Sequence, residues 1–137
     1  MKKLISHVGI AVADLEKSIQ TWRLITGNDP SHTGEVSDQK VKVAMFQPAE
    51  NSEASRIELV APTSESSPIA RFIDQRGEGL HHICIYVDDL ESKLEALKNE
   101  GVKLIDKTPR IGAEGNKIAF VHPASTGNVL IELEEIS

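Results

Sequence analysis

Two histidines and two glutamates recur at matching positions in the two halves of the sequence. His82 follows His7 by 75 residues, and Glu132 follows Glu58 by 74 residues. Imidazole nitrogens and carboxylate oxygens together suit divalent transition-metal ions, and two carboxylate charges would cancel the charge of a buried ion. The four residues therefore predict a single site for Co²⁺, Zn²⁺, Mn²⁺ or Ni²⁺, with two octahedral positions left for water or a substrate.

The four candidates lie in an internal repeat. Residues 6–22 (SHVGIAVADLEKSIQTW) match residues 81–97 (HHICIYVDDLESKLEAL), and residues 42–48 match residues 117–123. A lone histidine in a strand, or a lone glutamate between apolar residues, is more often structural or solvent-exposed than a metal ligand. Because all four residues occupy equivalent positions in two copies, a metal site explains the pattern better than coincidence does.

Hydrophobic periodicity predicts the elements that must position these residues. In the first copy we predict strands at 4–12, 41–47 and 56–61, a helix at 15–26, an edge strand or loop at 29–38 and a turn at 50–55. In the second copy we predict a strand at 80–87, a helix from the Asp89 cap to Gly101, and strands at 103–107, 117–122 and 129–135. We therefore expect an α+β fold, in which two tandem βαβββ modules form a curved, barrel-like mixed sheet around a metal cavity, with the helices outside.

The length of 137 residues is that of one ordinary domain. We predict a single domain made of two pseudo-symmetric modules, residues 1–62 and 79–137, joined by a linker at 63–78 that contains a short helix. Each module is small for an independent core, so the modules are expected to share an interface or to meet a second subunit.

Strand alternation assigns a face to each candidate ligand. The apolar neighbours of the four candidates are expected to pack against the helices, so all four candidates should lie on the opposite face. The other histidines are poorer candidates, because His81 and His122 have no matching histidine in the other copy and His32 lies in a polar segment. Cys84 is expected to be a small buried thiol rather than a residue that lines the cavity.

Composition excludes several classes of function. The net charge of −6 and the lack of a Lys/Arg cluster argue against a nucleic-acid binder. No apolar stretch approaches the ~18 residues of a membrane span, and the start of the chain is interpreted as a strand rather than a signal peptide. A single cysteine cannot form a disulfide within the chain, so we expect a cytoplasmic protein.

The assembled residues resemble the vicinal oxygen chelate superfamily and, within it, the methylmalonyl-CoA epimerase family. The resembling segments are residues 7–19, 57–89 and 109–135, and the most specific of them is SPIARFIDQRGEGLHHI at 67–83. The resemblance implies a metal-dependent isomerase that interconverts (2R)- and (2S)-methylmalonyl-CoA by removing the C2 proton through a metal-chelated enolate. It also implies a homodimer and an acyl-CoA substrate, with Co²⁺ as the preferred ion and His7, Glu58, His82 and Glu132 as its ligands.

The acid/base groups of such a reaction are less defined than the ligands. Glu132 and Glu58 are the candidates, since the pseudo-twofold could place them on opposite sides of C2; a pure ligand role for Glu132 is the alternative. Several bacterial family members carry a glutamate, proposed as a base, at the position of Val43. The CoA phosphates are expected to meet Lys or Arg, but no such residue is assigned from the sequence.

Two other functions remain open at the level of the sequence. A glyoxalase of the lactoylglutathione lyase type would use a similar ligand set. A non-catalytic binding protein of the same fold would be expected to lack tightly bound metal.

Overall fold

The computed structural model describes residues 4–48 and 54–136. Its elements are β1 (Ile5–Ala11), α1 (Leu15–Thr26), β2 (His32–Val36), β3 (Val41–Phe46), β4 (Arg56–Pro62), α2 (Pro68–Arg76), β5 (Gly79–Val87), α3 (Leu90–Asn99), β6 (Arg110–Ile111), β7 (Lys117–Val121) and β8 (Leu130–Glu135). A 3₁₀ turn at Pro123–Ser125 precedes β8. The α+β class and the repeated βαβββ order are thus confirmed. No helix among the described residues is long and apolar enough to span a bilayer.

Contacts between Cα atoms divide the chain into two compact units. The first-module unit comprises residues 7–81, and the second-module unit comprises residues 82–136 together with residues 4–6. The predicted module bounds at 62 and 79 describe the sequence repeat rather than these units, and they stay a prediction.

The first-module unit contains the strand order β2-β3-β4-β1. β1 and β4 run parallel, whereas the other neighbouring strands are antiparallel. Helix α1 begins after Asp14, whose side chain accepts a hydrogen bond from the Lys17 backbone, and ends at Gly27, which has a φ of 73°. Its buried residues pack against one face of the strands, in a cluster that includes Leu15, Ile19, Ala44, Phe46 and Leu59.

Helix α2 packs against a second apolar cluster of the same unit. Ile69 of α2 contacts a group that includes Ala11, Val43 and Val60, all of them buried. Ala11 follows His7 by four positions in β1, so the two residues lie on the same face of the strand. Helix α2 therefore covers the far end of the face on which His7 lies. Val43 is therefore a core residue beneath a helix.

The second-module unit contains the strand order β5-β8-β7-β6, with β5 and β8 parallel. Leu90 and Leu94 of α3 pack against Ala119, Val121 and Leu133 of the sheet. Helix α3 thus packs on the strands of the second-module unit as α1 packs on those of the first-module unit.

The strand predicted at residues 103–107 is wrong. Only Leu104 forms a bridge there, to Val121, and β6 lies further along the chain. The backbone N–H groups of Ile105 and Asp106 both donate to Phe120 O, while Phe120 N donates to the Asp106 carboxylate at 2.8 Å. The Asp106 carboxylate therefore accepts the hydrogen bond that a backbone carbonyl would accept in a strand pair, and the pairing with β7 ends there. The turn predicted at 50–55 lies almost entirely outside the described residues.

Asp89 caps α3 with two hydrogen bonds. Its carboxylate accepts from Ser92 N at 3.1 Å and from the Ser92 hydroxyl at 2.9 Å. The backbone bond and then the hydroxyl bond hold the pKa of the Asp89 carboxyl below its ordinary value of 3.8. A carboxyl whose pKa is depressed in the folded state stabilises the fold above the unfolded-state pKa, and this contribution is lost as the pH falls through the folded-state value.

We therefore expect Asp89→Asn, which keeps a capping oxygen, to be less stable than the parent protein at pH 7. The difference should shrink as the pH falls through the folded-state pKa of Asp89. Urea unfolding followed by circular dichroism at pH 7, 5 and 3 measures it, and Ser92→Ala, which removes the hydroxyl donor, is the matched control. A difference that stays the same from pH 7 to pH 3 would contradict the assignment.

Candidate active site

The first histidine–glutamate pair lies on β1 and β4. In the parallel pairing, His7 is opposite Arg56 and Gly9 is opposite Glu58, so His7 and Glu58 are diagonal neighbours on one face. His7 Nε2 lies 3.5 Å from Glu58 Oε1, and the two side chains are only 6% and 8% exposed.

The second pair repeats this arrangement on β5 and β8. Cys84 is opposite Glu132, which makes His82 and Glu132 diagonal neighbours in their turn. His82 Nε2 lies 3.3 Å from Glu132 Oε1, and both side chains are largely buried. The ring of Phe120 meets the His82 imidazole edge-on, with 6.3 Å between the centroids. The structure thus brings each predicted histidine to the predicted glutamate of its own module.

The donor set of each pair fits a divalent transition-metal ion. Both Nε2–Oε1 distances are longer than an ordinary N–H···O hydrogen bond, yet short enough for one nitrogen and one oxygen to bind the same ion. A carboxylate buried beside an imidazole is costly unless a cation balances its charge. Imidazole with carboxylate is also the combination that ions from Mn²⁺ to Zn²⁺ accept.

A third carboxylate beside the second pair was not predicted from the sequence. Glu134 is 3% exposed and lies on the same face of β8 as Glu132. Its Oε1 accepts from the Ser6 hydroxyl at 2.9 Å and from the Cys84 thiol at 3.6 Å, and its Oε2 accepts from Asn116 Nδ2 at 2.8 Å. The turn that precedes β7 brings Asn116 to this position.

Cys84 is fully buried, as the sequence indicated. Burial raises the pKa of its thiol far above the ordinary value, and the nearby carboxylates of Glu132 and Glu134 raise it further. The thiol is a hydrogen-bond donor to Glu134.

The remaining histidines have other surroundings. His81 meets Phe72 edge-on, with ring centroids 4.9 Å apart. His32 is exposed, and His122 Nδ1 accepts a hydrogen bond from Ala124 N at 3.0 Å. These positions agree with their exclusion as candidate ligands.

Comparisons with known proteins assign the chain to a family. Residues 6–120 match the family described as the Glyoxalase/Bleomycin resistance protein/Dioxygenase superfamily. The mitochondrial methylmalonyl-CoA epimerase of Dictyostelium discoideum is 38% identical over 132 residues, which cover 96% of this chain and 77% of that protein.

Two solved structures are also similar. The crystal structure of methylmalonyl-CoA epimerase from Mycobacterium tuberculosis is 38% identical, with a TM-score of 0.89 and coverage of 98% of this chain and 88% of that one. A variant of the Streptomyces coelicolor methylmalonyl-CoA epimerase, in complex with 2-nitronate-propionyl-CoA, is 31% identical, with a TM-score of 0.89 and coverage of 100% and 96%. The chain therefore belongs to the Glyoxalase/Bleomycin resistance protein/Dioxygenase superfamily and, within it, to the methylmalonyl-CoA epimerase family.

Proposed function

We propose that this protein is a metal-dependent epimerase that interconverts (2R)- and (2S)-methylmalonyl-CoA. The observation that carries the proposal is the pair of buried histidine–glutamate contacts, His7 with Glu58 and His82 with Glu132, in a chain of the methylmalonyl-CoA epimerase family. The related proteins of that name match almost the whole length of this chain. The Streptomyces coelicolor protein binds an acyl-CoA analogue.

We propose that His7, Glu58, His82 and Glu132 together hold one divalent ion, with Co²⁺ preferred. Two neutral imidazoles and two carboxylates supply the charge that neutralises a dication, and each pair already has its two donors within 3.5 Å of each other. When bound, such an ion would supply Lewis-acid polarisation of the thioester carbonyl.

Proton transfer at C2 is the task of the protein's own groups. The C2–H bond breaks as a carboxylate oxygen accepts the proton, and a second acid returns a proton to the opposite face of C2. Glu132 and Glu58 are the proposed pair, because each is a buried carboxylate at an equivalent position of its module. General acid–base catalysis of this kind contributes about 10²–10⁴-fold to a rate.

Residue 43 is excluded as the base because it is a valine, and this supports the choice of Glu132 and Glu58. The side chain is apolar, 4% exposed and packed in the cluster beneath α2. It can neither accept nor return a proton, so the base must come from another residue of the chain.

The reaction is tested by proton NMR of methylmalonyl-CoA in D₂O with Co²⁺-loaded protein. We expect the C2–H signal to disappear, because the carbon is reprotonated from deuterated solvent. The lactoylglutathione lyase reaction is assayed on the same metal-loaded sample. A persistent C2–H signal together with glyoxalase turnover would overturn the proposal, as would CoA-thioester binding with no turnover of either substrate.

We further propose that the protein is a cytoplasmic homodimer. The modules are small for separate cores, and exposed apolar side chains on α1, Leu24 at 87% and Ile25 at 65%, offer surface for a second copy. Sedimentation equilibrium of the metal-loaded protein tests the assembly.

A further inference from the structure

We infer that Phe120 is a positioning residue for the metal-ligand candidates of the second-module unit, and that Arg110 and Asp106 hold its ring in place. This inference rests on the proposed function, since it concerns the site of that reaction. Phe120 lies directly opposite Glu132 in the antiparallel pairing of β7 with β8, so the two side chains are neighbours on one face. Its ring meets the His82 imidazole edge-on, with 6.3 Å between the centroids and 84° between the planes. One ring therefore borders both donors of this pair.

The backbone of Phe120 is fixed by the irregular segment in which the strand predicted at 103–107 is missing. The carbonyl oxygen of Phe120 accepts from Ile105 N at 2.9 Å and from Asp106 N at 3.2 Å. Its N–H donates to Asp106 Oδ2 at 2.8 Å. Both backbone groups of Phe120 are thus bound to this segment, so the ring is attached to a backbone that cannot shift along the strand.

A guanidinium lies over the ring of Phe120. Arg110 Cζ is 5.3 Å from the ring centroid, within the range of a cation–π contact. Asp106 Oδ2 lies 3.6 Å from Arg110 Nε, and the same oxygen accepts the hydrogen bond from Phe120 N. The Arg110 side chain is 42% exposed, so its ion pair contributes geometry more than energy. One carboxylate oxygen therefore contacts both the backbone of Phe120 and the cation on its ring.

A fixed ring beside a ligand histidine restricts how the imidazole can turn. Groups that orient a ligand in advance reduce the rearrangement that is needed when an ion binds. The equivalent position of the first-module unit has no ring, because Met45 lies directly opposite Glu58. Methionine is unbranched and flexible, so it restricts its neighbours less than a phenylalanine does. His82 and Glu132 are therefore the better preorganised half of the donor set.

The inference is tested by measuring Co²⁺ affinity, which requires no substrate. We expect Phe120→Leu, which keeps the position apolar but removes the ring, to raise the Kd for Co²⁺ about 3–10-fold in competition with a chelator. The d–d absorption of the bound Co²⁺ should change in the same variant, because the angles between the ligands change. Phe120→Tyr, which keeps the ring, should have the parental Kd and the parental absorption.

Arg110→Gln tests the contact that holds the ring. This variant should raise the Kd for Co²⁺ in the same direction as Phe120→Leu. It should have no further effect in the Phe120→Leu background, because a guanidinium that acts through the ring cannot act without it. Arg110 has a partly exposed side chain, so this variant also serves as the test if Phe120→Leu does not fold.

A second phenylalanine of the chain provides the matched control. Phe72 of α2 also meets a histidine edge-on, His81, with 4.9 Å between the centroids, and Arg76 Cζ lies 5.7 Å from its ring centroid. Both phenylalanines are partly buried, but His81 is not a ligand candidate. Phe72→Leu should therefore leave the Kd and the absorption unchanged. Urea unfolding of the metal-free proteins measures the loss of stability in each variant separately.

The inference and the epimerase proposal can fail separately. A Kd raised in Phe120→Leu but not in Phe72→Leu would support the inference even if methylmalonyl-CoA were not epimerised. Parental affinity in Phe120→Leu, or in Arg110→Gln if the former does not fold, would overturn it while leaving the epimerase proposal intact. An equal loss in Phe72→Leu, or a loss in Phe120→Tyr as large as in Phe120→Leu, would overturn it as well. A parent protein that binds no Co²⁺ would overturn it together with the metal site.

Discussion

Glu132→Gln is expected to abolish exchange with deuterated solvent of the C2 proton that faces Glu132, and with it the epimerisation of methylmalonyl-CoA, a loss of at least about 10²-fold. The physical reason is that an amide oxygen can still bind a metal ion but cannot accept a proton from carbon. Glu132 lies 3.3 Å from His82 and is largely buried, so the variant removes one proton-accepting oxygen with little change in shape. Proton NMR of the exchange and metal content measured on the same sample together check the result.

The repeat supplies a companion variant, because Glu58 is the other member of the proposed acid/base pair. Glu58→Gln makes the same change at the equivalent position of the other module. Both variants should retain metal. If Glu132→Gln retains metal and exchanges the C2 proton at the parental rate, Glu132 is a ligand only.

Glu134→Ala is expected to lower the free energy of unfolding by about 2–4 kcal/mol. Glu134 is 3% exposed and accepts hydrogen bonds from Ser6, Asn116 and Cys84. The alanine removes the acceptor from these groups inside the protein, and each buried polar group that loses its partner costs about 1–3 kcal/mol. Urea unfolding of the metal-free protein isolates this effect from metal binding.

Two further variants and one control define the origin of that loss. Glu134→Gln keeps the volume and one acceptor oxygen, so a smaller loss is expected. Ser6→Ala should cost much less in the Glu134→Ala background than in the parent, because the two residues share one hydrogen bond. Glu100→Ala, at an exposed position, should change stability by less than about 0.5 kcal/mol. A loss for Glu134→Ala no larger than that of Glu100→Ala would contradict the network.

The features predicted well from the sequence are those that depend on neighbouring residues. The bounds of α1 follow from Asp14 and Gly27, because capping is decided within one turn of helix. The common face of His7 and Glu58, and that of His82 and Glu132, follows from strand alternation. Both signals are local or are copied along the chain, so no long-range contact had to be known.

The features that were missed depend on contacts between distant residues. Glu134 follows Glu132 by two positions and precedes another glutamate, a pattern typical of a solvent-exposed strand end. Its burial depends on Ser6, 128 residues earlier, and on Asn116 in a neighbouring turn. The strand near 103–107 was wrongly predicted for a similar reason, since Asp106 satisfies a backbone group of Phe120, a residue 14 positions away.

The division of the chain has a consequence for any attempt to separate its two copies. The second-module unit includes residues 4–6, which precede the first module's histidine, and these residues supply the Ser6 hydroxyl to Glu134 and the Leu4 carbonyl to Tyr86 N. A gene encoding only the later copy would lack both groups. The two sequence copies therefore depend on one continuous chain, and separating them would leave Glu134 without the Ser6 hydroxyl and Tyr86 N without the Leu4 carbonyl.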